Sequence, residues 1–105
     1  MRDSERGPDL SLARATVVAV PVISVFFGIV IRMYYRDHDP PHIHAEHRGQ
    51  QAKFDLEGRI IAGAIRSALA RRRIEEWAQL HRTALQSNWD RMRAGHPLER
   101  IEPLK

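Results

Sequence analysis

Cysteine is absent from the 105 residues of this chain. Disulfide bonds and thiolate metal sites are therefore excluded, and any bound metal must take histidine and carboxylate ligands. Lysine is scarce as well, since Lys53 and Lys105 are the only lysines among 17 basic residues and the others are arginine. Guanidinium groups suit phosphates and carboxylates. With a net charge of +4, the composition predicts an acidic partner, either nucleic acid or protein, unless it merely reflects a GC-rich coding sequence.

The chain also lacks a hydrophobic run of membrane-spanning length. Residues 17–31 carry no charge over 15 positions, which is shorter than the roughly 20 residues that cross a bilayer. Pro21 and Ser24 interrupt this run and no small-residue cleavage site follows it, so a signal peptide is not predicted. These absences favour a cytoplasmic protein. The length and the 43% apolar content predict one small domain, whose modest core would gain from a homo-oligomer.

Histidine, in contrast, is concentrated in one short segment. Residues 33–47 read MYYRDHDPPHIHAEH and hold four of the six histidines. His42, His44 and Glu46 alternate here with two apolar residues. In an extended strand this period of two places the three polar side chains on one face. Such a row can bind metal or transfer protons, or it can be a solvated face that does neither.

The pattern of residues before position 66 predicts an antiparallel meander of three to four strands. The turns are indicated by Asp39-Pro40-Pro41, by Arg48-Gly49 and by Glu57-Gly58. The predicted strands are 26–36, 42–47, 51–56 and 59–65.

A helical period of three to four follows over residues 68–94. It predicts one long helix, or two with a bend near 81–83. Ser67 is the expected N-cap and Gly95 the expected stop. One sheet face covered by the helical segment gives an α+β domain over residues 20–105. Residues 1–19 are polar and rich in turn formers at their start, and are expected to be disordered.

Several separated motifs resemble a family of short prokaryotic proteins of unknown function. The signature of that family is M-Y-Y-R-D-H-x-P-P-H-x-H-A, which corresponds to residues 33–45 here. Later motifs fit in the same order, and the resemblance extends over residues 21–105. These motifs are PVIS at 21–24, EW at 76–77, NW at 88–89, RAG at 93–95 and IEPL at 101–104.

The resemblance implies a start site and a partner but no mechanism. Chains of that family usually begin with Met-Pro, and Val20 stands here where the Met would be. Because GTG encodes valine and also serves as a bacterial start codon, residues 1–19 are expected to be a mis-assigned extension. Members are often encoded beside a second small protein, an arrangement that resembles a toxin–antitoxin pair. The resemblance therefore implies a bacterial toxin-like component with a neighbouring-gene partner.

A divalent metal site is one interpretation of the histidine segment. His42 and His44 have the spacing of two ligands on one strand, and Glu46 would add a carboxylate. His38 is an alternative third ligand from the preceding turn. Asp37 or Asp55 would orient the ligands.

Metal-free chemistry on RNA is the second interpretation. Arg36, His42 and His44 are then the catalytic candidates, because proton transfer and charge stabilisation at a phosphate need imidazole and guanidinium groups. A further set of residues would support them if the first three strands are neighbours or if the helix leans across the sheet: Tyr34, Asp37, His38, Lys53 and His81.

A binding role without chemistry is the third interpretation. His38 would then pin the proline turn, and the two strand histidines would line an interface. His81 lies on the apolar stripe of the helix and is typical of a core histidine. The run Arg71-Arg72-Arg73 is either a solvated helix edge or a contact for nucleic acid or an acidic partner.

Overall fold

The structure is a computed structural model that describes residues 21–105. The expectations for residues 1–19, namely a disordered leader or a mis-assigned extension before Val20, lie outside the described residues. The domain boundary at position 20 therefore stays a prediction.

Five strands form one antiparallel sheet, in which each strand pairs with the next along the chain. The predicted α+β meander is confirmed, although the count of three to four strands was too low. The strands are β1 Val22–Phe26, β2 Ile29–Arg32, β3 His42–His47, β4 Gln50–Asp55 and β5 Ile60–Gly63.

The additional strand arises inside the charge-free run. Phe27 and Gly28 both have positive φ, +50° and +75°, and they form a tight hairpin turn between β1 and β2. The sequence predicted a strand that began at Phe26 and continued without a turn, because phenylalanine rarely occupies this left-handed conformation. Gly28 was the only signal of the turn.

Two helices follow the sheet, α1 Ala68–Leu80 and α2 Arg82–Ala94. The side chain of Ser67 accepts a hydrogen bond from the amide of Ala70, so the predicted N-cap is confirmed. The helices meet at His81, where the alternative of a bend was predicted. Gly95 ends α2 with φ of +78°. Each helix has 13 residues, and no helix within residues 21–105 is long and apolar enough to cross a membrane.

The core lies between the helices and one face of the sheet. Trp77, Ile74 and Leu85 from the helices and Ile31, Ile43 and Phe54 from the strands are fully buried there. The C-terminal tail closes the core, since Ile101 is buried and its amide donates to the carbonyl of Ile23 at the edge strand β1. The opposite face of the sheet is not covered by either helix, and it presents the polar side chains of β2, β3 and β4.

Candidate metal centre

Three side chains converge where the chain passes from β2 to β3. Asp37 lies in the connection, and His42 and His44 lie on β3. The Nε2 atoms of His42 and His44 are 2.7 and 3.0 Å from the same oxygen, Oδ2 of Asp37. One ligand atom from each residue lies within 4.8 Å of the other two. Within residues 21–105 these are three side chains close enough to share one metal ion.

His42 begins β3, and it is buried to 97% although the alternation predicted an outward orientation. Its ring lies against Trp89 of α2, with 5.4 Å between the ring centroids. Its Nδ1 is 2.8 Å from the carbonyl oxygen of Pro40. A carbonyl oxygen only accepts hydrogen bonds, so Nδ1 carries the proton. In the neutral ring Nε2 therefore carries a lone pair and no proton.

This lone pair lies against an acceptor. Nε2 of His42 is 2.7 Å from the carboxylate of Asp37, yet it has no aligned hydrogen-bond partner and is shielded from solvent. The short distance and the missing hydrogen bond are consistent, because the oxygen lies off the direction in which a ring proton would point. Two buried acceptors at this distance repel each other unless a cation, either a proton or a metal ion, lies at the site.

His44 faces the outer side of the sheet. Its ring stacks on Tyr34, with 4.1 Å between the centroids and 9° between the planes. Burial lowers the pKa of His44 below its usual value, and the hydrogen bond and negative charge of Asp37 offset only part of this effect. The imidazole is therefore mostly neutral at neutral pH, which is the protonation state of a metal ligand or of a general base.

Asp37 is held in its ionised form. Burial acts to raise the pKa of Asp37, but the hydrogen bond from His44, the attraction of the two imidazoles when they are protonated, and the backbone amide of His38 together hold the pKa below its usual value. The side chain is only 10% exposed. A buried carboxylate with two imidazoles is the ligand set of catalytic zinc sites and of non-haem iron sites.

The distances fit a metal of ordinary size. Zinc bonds of about 2.0–2.1 Å in a tetrahedron separate neighbouring ligand atoms by about 3.3 Å. The two observed separations of 2.7 and 3.0 Å need to open by about 0.6 and 0.3 Å to reach this value. The carbonyl of Pro40 already orients the ring of His42 through its other nitrogen, as second partners of metal-bound histidines commonly do. The residues therefore fit a divalent metal.

The outer face of the sheet continues from His44 across the neighbouring strands. The strand register places Arg32 of β2 and Lys53 of β4 on either side of His44. A shallow cavity of about 250 Å³ opens here, lined by residues that include Arg32, Tyr34 and His44. The cluster meets this cavity at His44, which is the most exposed of its three members.

Apart from His38, whose Nδ1 lies 3.9 Å from Oδ1 of Asp37, the remaining residues predicted for the site do not contact the cluster. Glu46 forms an ion pair with Arg32 at 2.8 Å, so the carboxylate beside the two histidines is that of Asp37 instead. Arg36 is exposed in the connection, and no hydrogen bond or ion pair joins it to another described residue. The side chain of His38 is 87% exposed. His81 lies against Trp77 between the helices.

Two other predicted groups have structural contacts. Asp55 accepts hydrogen bonds from the amides of Glu57 and Arg59, and so it stabilises the turn before β5. The three arginines at 71–73 point in different directions. Arg71 donates to the backbone carbonyls of Ile65 and Arg66, the side chain of Arg72 is exposed, and Arg73 lies over an aromatic ring, as described below.

Sequence reasoning missed the carbonyl of Pro40 and the contact of Trp89 with His42. No pattern marks a backbone carbonyl as a partner of a particular ring. Arg32 was also missed as a site residue, although alternation along the predicted first strand places it on the same face as Tyr34. Arg32 and Tyr34 share a face, and antiparallel pairing places that face beside the histidines of β3. This combination is the signal that could have identified Arg32 as a site residue.

Comparison with protein families matches residues 28–90 to DUF4160, a domain of unknown function. No curated protein and no solved structure matches the chain significantly. The matched residues include β2 to β5, the cluster of Asp37, His42 and His44, and most of both helices. Because the match extends over more than half of the 105 residues, the chain belongs to the DUF4160 family.

Proposed function

We propose that this protein binds a divalent transition metal through Asp37, His42 and His44. One observation carries the proposal. The Nε2 lone pair of His42, whose tautomer is set by the carbonyl of Pro40, lies 2.7 Å from a carboxylate oxygen in a buried position. A metal ion replaces this repulsion with two bonds.

The ligand count further supports a reactive site. Three protein ligands leave at least one position of a tetrahedral metal for water or substrate, and a bound metal lowers the pKa of such a water or polarises a substrate oxygen. His42 would be held by Trp89 and Pro40, and Asp37 by its burial. His44 is the ligand next to the outer cavity, so a substrate would approach from the side of Arg32 and Tyr34.

Metal analysis of the tag-free protein tests the proposal. The protein is purified without a His tag, stripped with a chelator, and titrated with zinc, manganese and nickel by calorimetry. We expect about one equivalent of metal, and we expect His42→Gln, His44→Gln and Asp37→Asn each to weaken the affinity at least tenfold. No binding of any of the three metals at millimolar concentration would refute the proposal.

Glu46→Gln is the matched control for Asp37→Asn. Both substitutions remove one carboxylate charge next to the histidines, but Glu46 pairs with Arg32 instead of with the cluster. We expect Glu46→Gln to retain wild-type metal affinity. If Glu46→Gln abolishes binding and Asp37→Asn does not, the ligand set is His42, His44 and Glu46, as the alternation of β3 alone predicted.

A second candidate function is RNA-directed activity of a toxin-like component. The observation that favours it is the row formed across three strands by Arg32, His44 and Lys53. A neutral His44 beside two cations is the arrangement expected of a base next to a phosphate. Tyr34, stacked on His44, would add an aromatic surface for a base.

Expression and cleavage assays separate this function from metal binding. RNA cleavage that persists in chelator and falls with His44→Gln or Lys53→Gln would support metal-free chemistry. Growth arrest on expression, relieved when the neighbouring gene is expressed as well, would support the toxin-like role and the partner. Expression without growth arrest, together with intact RNA, would reject this second candidate and leave the metal proposal unaffected.

A further inference from the structure

A second polar site lies at the other end of the sheet, at the hairpin turns. A cavity of about 470 Å³ opens between the β1–β2 turn, the β3–β4 turn and the start of α1. This volume is within the range of small-molecule sites. Its lining combines the three arginines Arg48, Arg66 and Arg73 with an apolar wall formed by Phe27, Leu69 and Ala70.

The cavity is strongly positive. Arg48, Arg66 and Arg73 contribute their guanidinium groups, and no aspartate or glutamate lines the cavity. Among the described residues, no carboxylate lies within ion-pair distance of these three arginines. The first turn of α1 contains no acidic residue either, so the partial positive charge of its N-terminus adds to the same site.

The arginines are presented by a fixed framework. The guanidinium of Arg73 lies over the ring of Phe27 at 4.0 Å from the centroid, which limits its motion by a cation–π contact. Phe27 and Arg48 both occupy hairpin turns at positive φ, +50° and +51°. Larger residues rarely adopt this conformation. The two turns lie at the same end of the sheet and direct both residues to one cavity.

We propose that this cavity binds the phosphate monoester of a nucleotide. A phosphate monoester carries about two negative charges near neutral pH and accepts several hydrogen bonds, as does a phosphorylated side chain. Three guanidinium groups match that charge and hydrogen-bonding capacity. The wall formed by Phe27, Leu69 and Ala70 takes the less polar part of the ligand. The proposal does not depend on the metal site, which lies at the opposite end of β3.

The nucleotide has two sources, and titration distinguishes them. The wild-type protein is titrated by nuclear magnetic resonance with inorganic phosphate, with 5′-AMP, and with a short RNA that bears either a 5′-phosphate or a 5′-hydroxyl. We expect saturable shifts of the amides at 48–50 and 66–70 with AMP or with the 5′-phosphorylated RNA. Equal binding of the two RNAs with no binding of AMP would overturn the proposal.

Arg48→Gly is the sharpest variant. Glycine adopts φ of +51° without strain, so the turn is kept while the guanidinium is removed. Arg73→Gln removes a second guanidinium. We expect each substitution to raise the Kd for AMP about tenfold or more.

Arg72→Gln is the matched control, because it removes the same charge one position away on α1, and Arg72 does not line the cavity. We expect its Kd to stay within about twofold of the wild type at 0.15 M salt, where long-range charge effects are screened. Equal weakening by Arg72→Gln and Arg73→Gln would overturn the proposal in favour of a general charge effect. Millimolar AMP, 5′-phosphorylated RNA and phosphate all failing to bind would overturn it as well.

Discussion

Asp37→Asn is expected to stabilise the metal-free protein while it weakens metal binding. In the wild type, Oδ2 of Asp37 faces the lone pair of His42 at 2.7 Å and lies 3.0 Å from Nε2 of His44. The other carboxylate oxygen accepts from the amide of His38. An asparagine that keeps this second contact places its NH₂ group at the position of Oδ2. The two hydrogens of that group can then satisfy the lone pair of His42 and, once His44 moves its proton from Nε2 to Nδ1, the lone pair of His44.

The expected magnitude follows from the burial of His42. A buried acceptor without a donor costs about 1–3 kcal/mol, and a hydrogen bond that satisfies it contributes about 0.5–1.5 kcal/mol net. The substitution also removes the charged hydrogen bond between Asp37 and His44, whose loss costs about 1.5–3 kcal/mol, against a combined gain of about 1.5–4.5 kcal/mol from relieving the unpaired acceptor and forming the new hydrogen bond. We therefore expect a net gain of about 1 kcal/mol in the free energy of unfolding. In metal at about 100 times the wild-type Kd, the wild type gains about 2.7 kcal/mol and the variant, which binds at least tenfold more weakly, gains at most about 1.4 kcal/mol, so the order of stability reverses.

Urea denaturation at about pH 8, where an ordinary imidazole is neutral, measures this difference. The two proteins are compared in chelator and again in saturating zinc. A loss of more than about 1 kcal/mol for Asp37→Asn in chelator would refute the reasoning. It would mean that His42 holds a second proton and forms a buried ion pair with Asp37, for which a neutral partner is a poor replacement.

Three further predictions concern stability in the absence of metal. Because the pKa of His44 is lowered in the fold, the unfolded chain takes up a proton at this residue at a higher pH than the folded chain does. The free energy of unfolding should therefore fall as pH falls below about 6.5. Denaturation of His44→Gln should lack this pH dependence, and a pH dependence equal to that of the wild type would contradict the lowered pKa of His44. Gly63→Ala should lower the free energy of unfolding by more than about 2 kcal/mol in thermal denaturation, since the added Cβ would lie 2.5 Å from a carbonyl oxygen of β4. Gly49→Ala is the control, because Gly49 has a similar φ but open space around it, and it should cost about 1–2 kcal/mol. Equal losses in the two variants would show that the contact with β4 contributes nothing. Trp77→Phe should lower the free energy of unfolding by about 1–3 kcal/mol, because the buried indole donates a hydrogen bond to the carbonyl of Glu102 and the substitution leaves that acceptor unpaired. A loss below about 0.5 kcal/mol in urea denaturation would show that the C-terminal tail does not depend on this hydrogen bond.

Much of the fold could be predicted because its signals are local. Alternating apolar residues identify β3 and β4, Ser67 caps α1, and Gly95 ends α2. The β1–β2 hairpin could not be predicted from local signals, because Phe27 is a strand-forming residue that the structure holds in a turn. The pairing of β1 with β2 and the packing of the sheet outweigh the local preference of Phe27 for a strand.

The candidate site was only half predictable for a related reason. Alternation identifies His42 and His44 as neighbours, and it selects Glu46 as their carboxylate. The carboxylate that reaches them in the fold is that of Asp37, which belongs to a connection and has no periodicity. Its position depends on the path of residues 33–41 between paired strands, and that path is set by tertiary contacts such as the burial of Met33 in the core and the hydrogen bond from the amide of Leu98 to the hydroxyl of Tyr35.

The metal and RNA proposals make different demands on His44, and its surroundings help to separate them. As a metal ligand His44 needs only its Nε2 atom, which already points to Asp37. As a base it must release that hydrogen bond or use its other nitrogen toward the outer cavity. The flat stack on Tyr34 fixes the plane of the ring, so rotation of Nε2 toward a substrate would break both contacts. The present orientation of His44 therefore favours metal ligation, and RNA-directed chemistry at this residue would have to proceed through Nδ1.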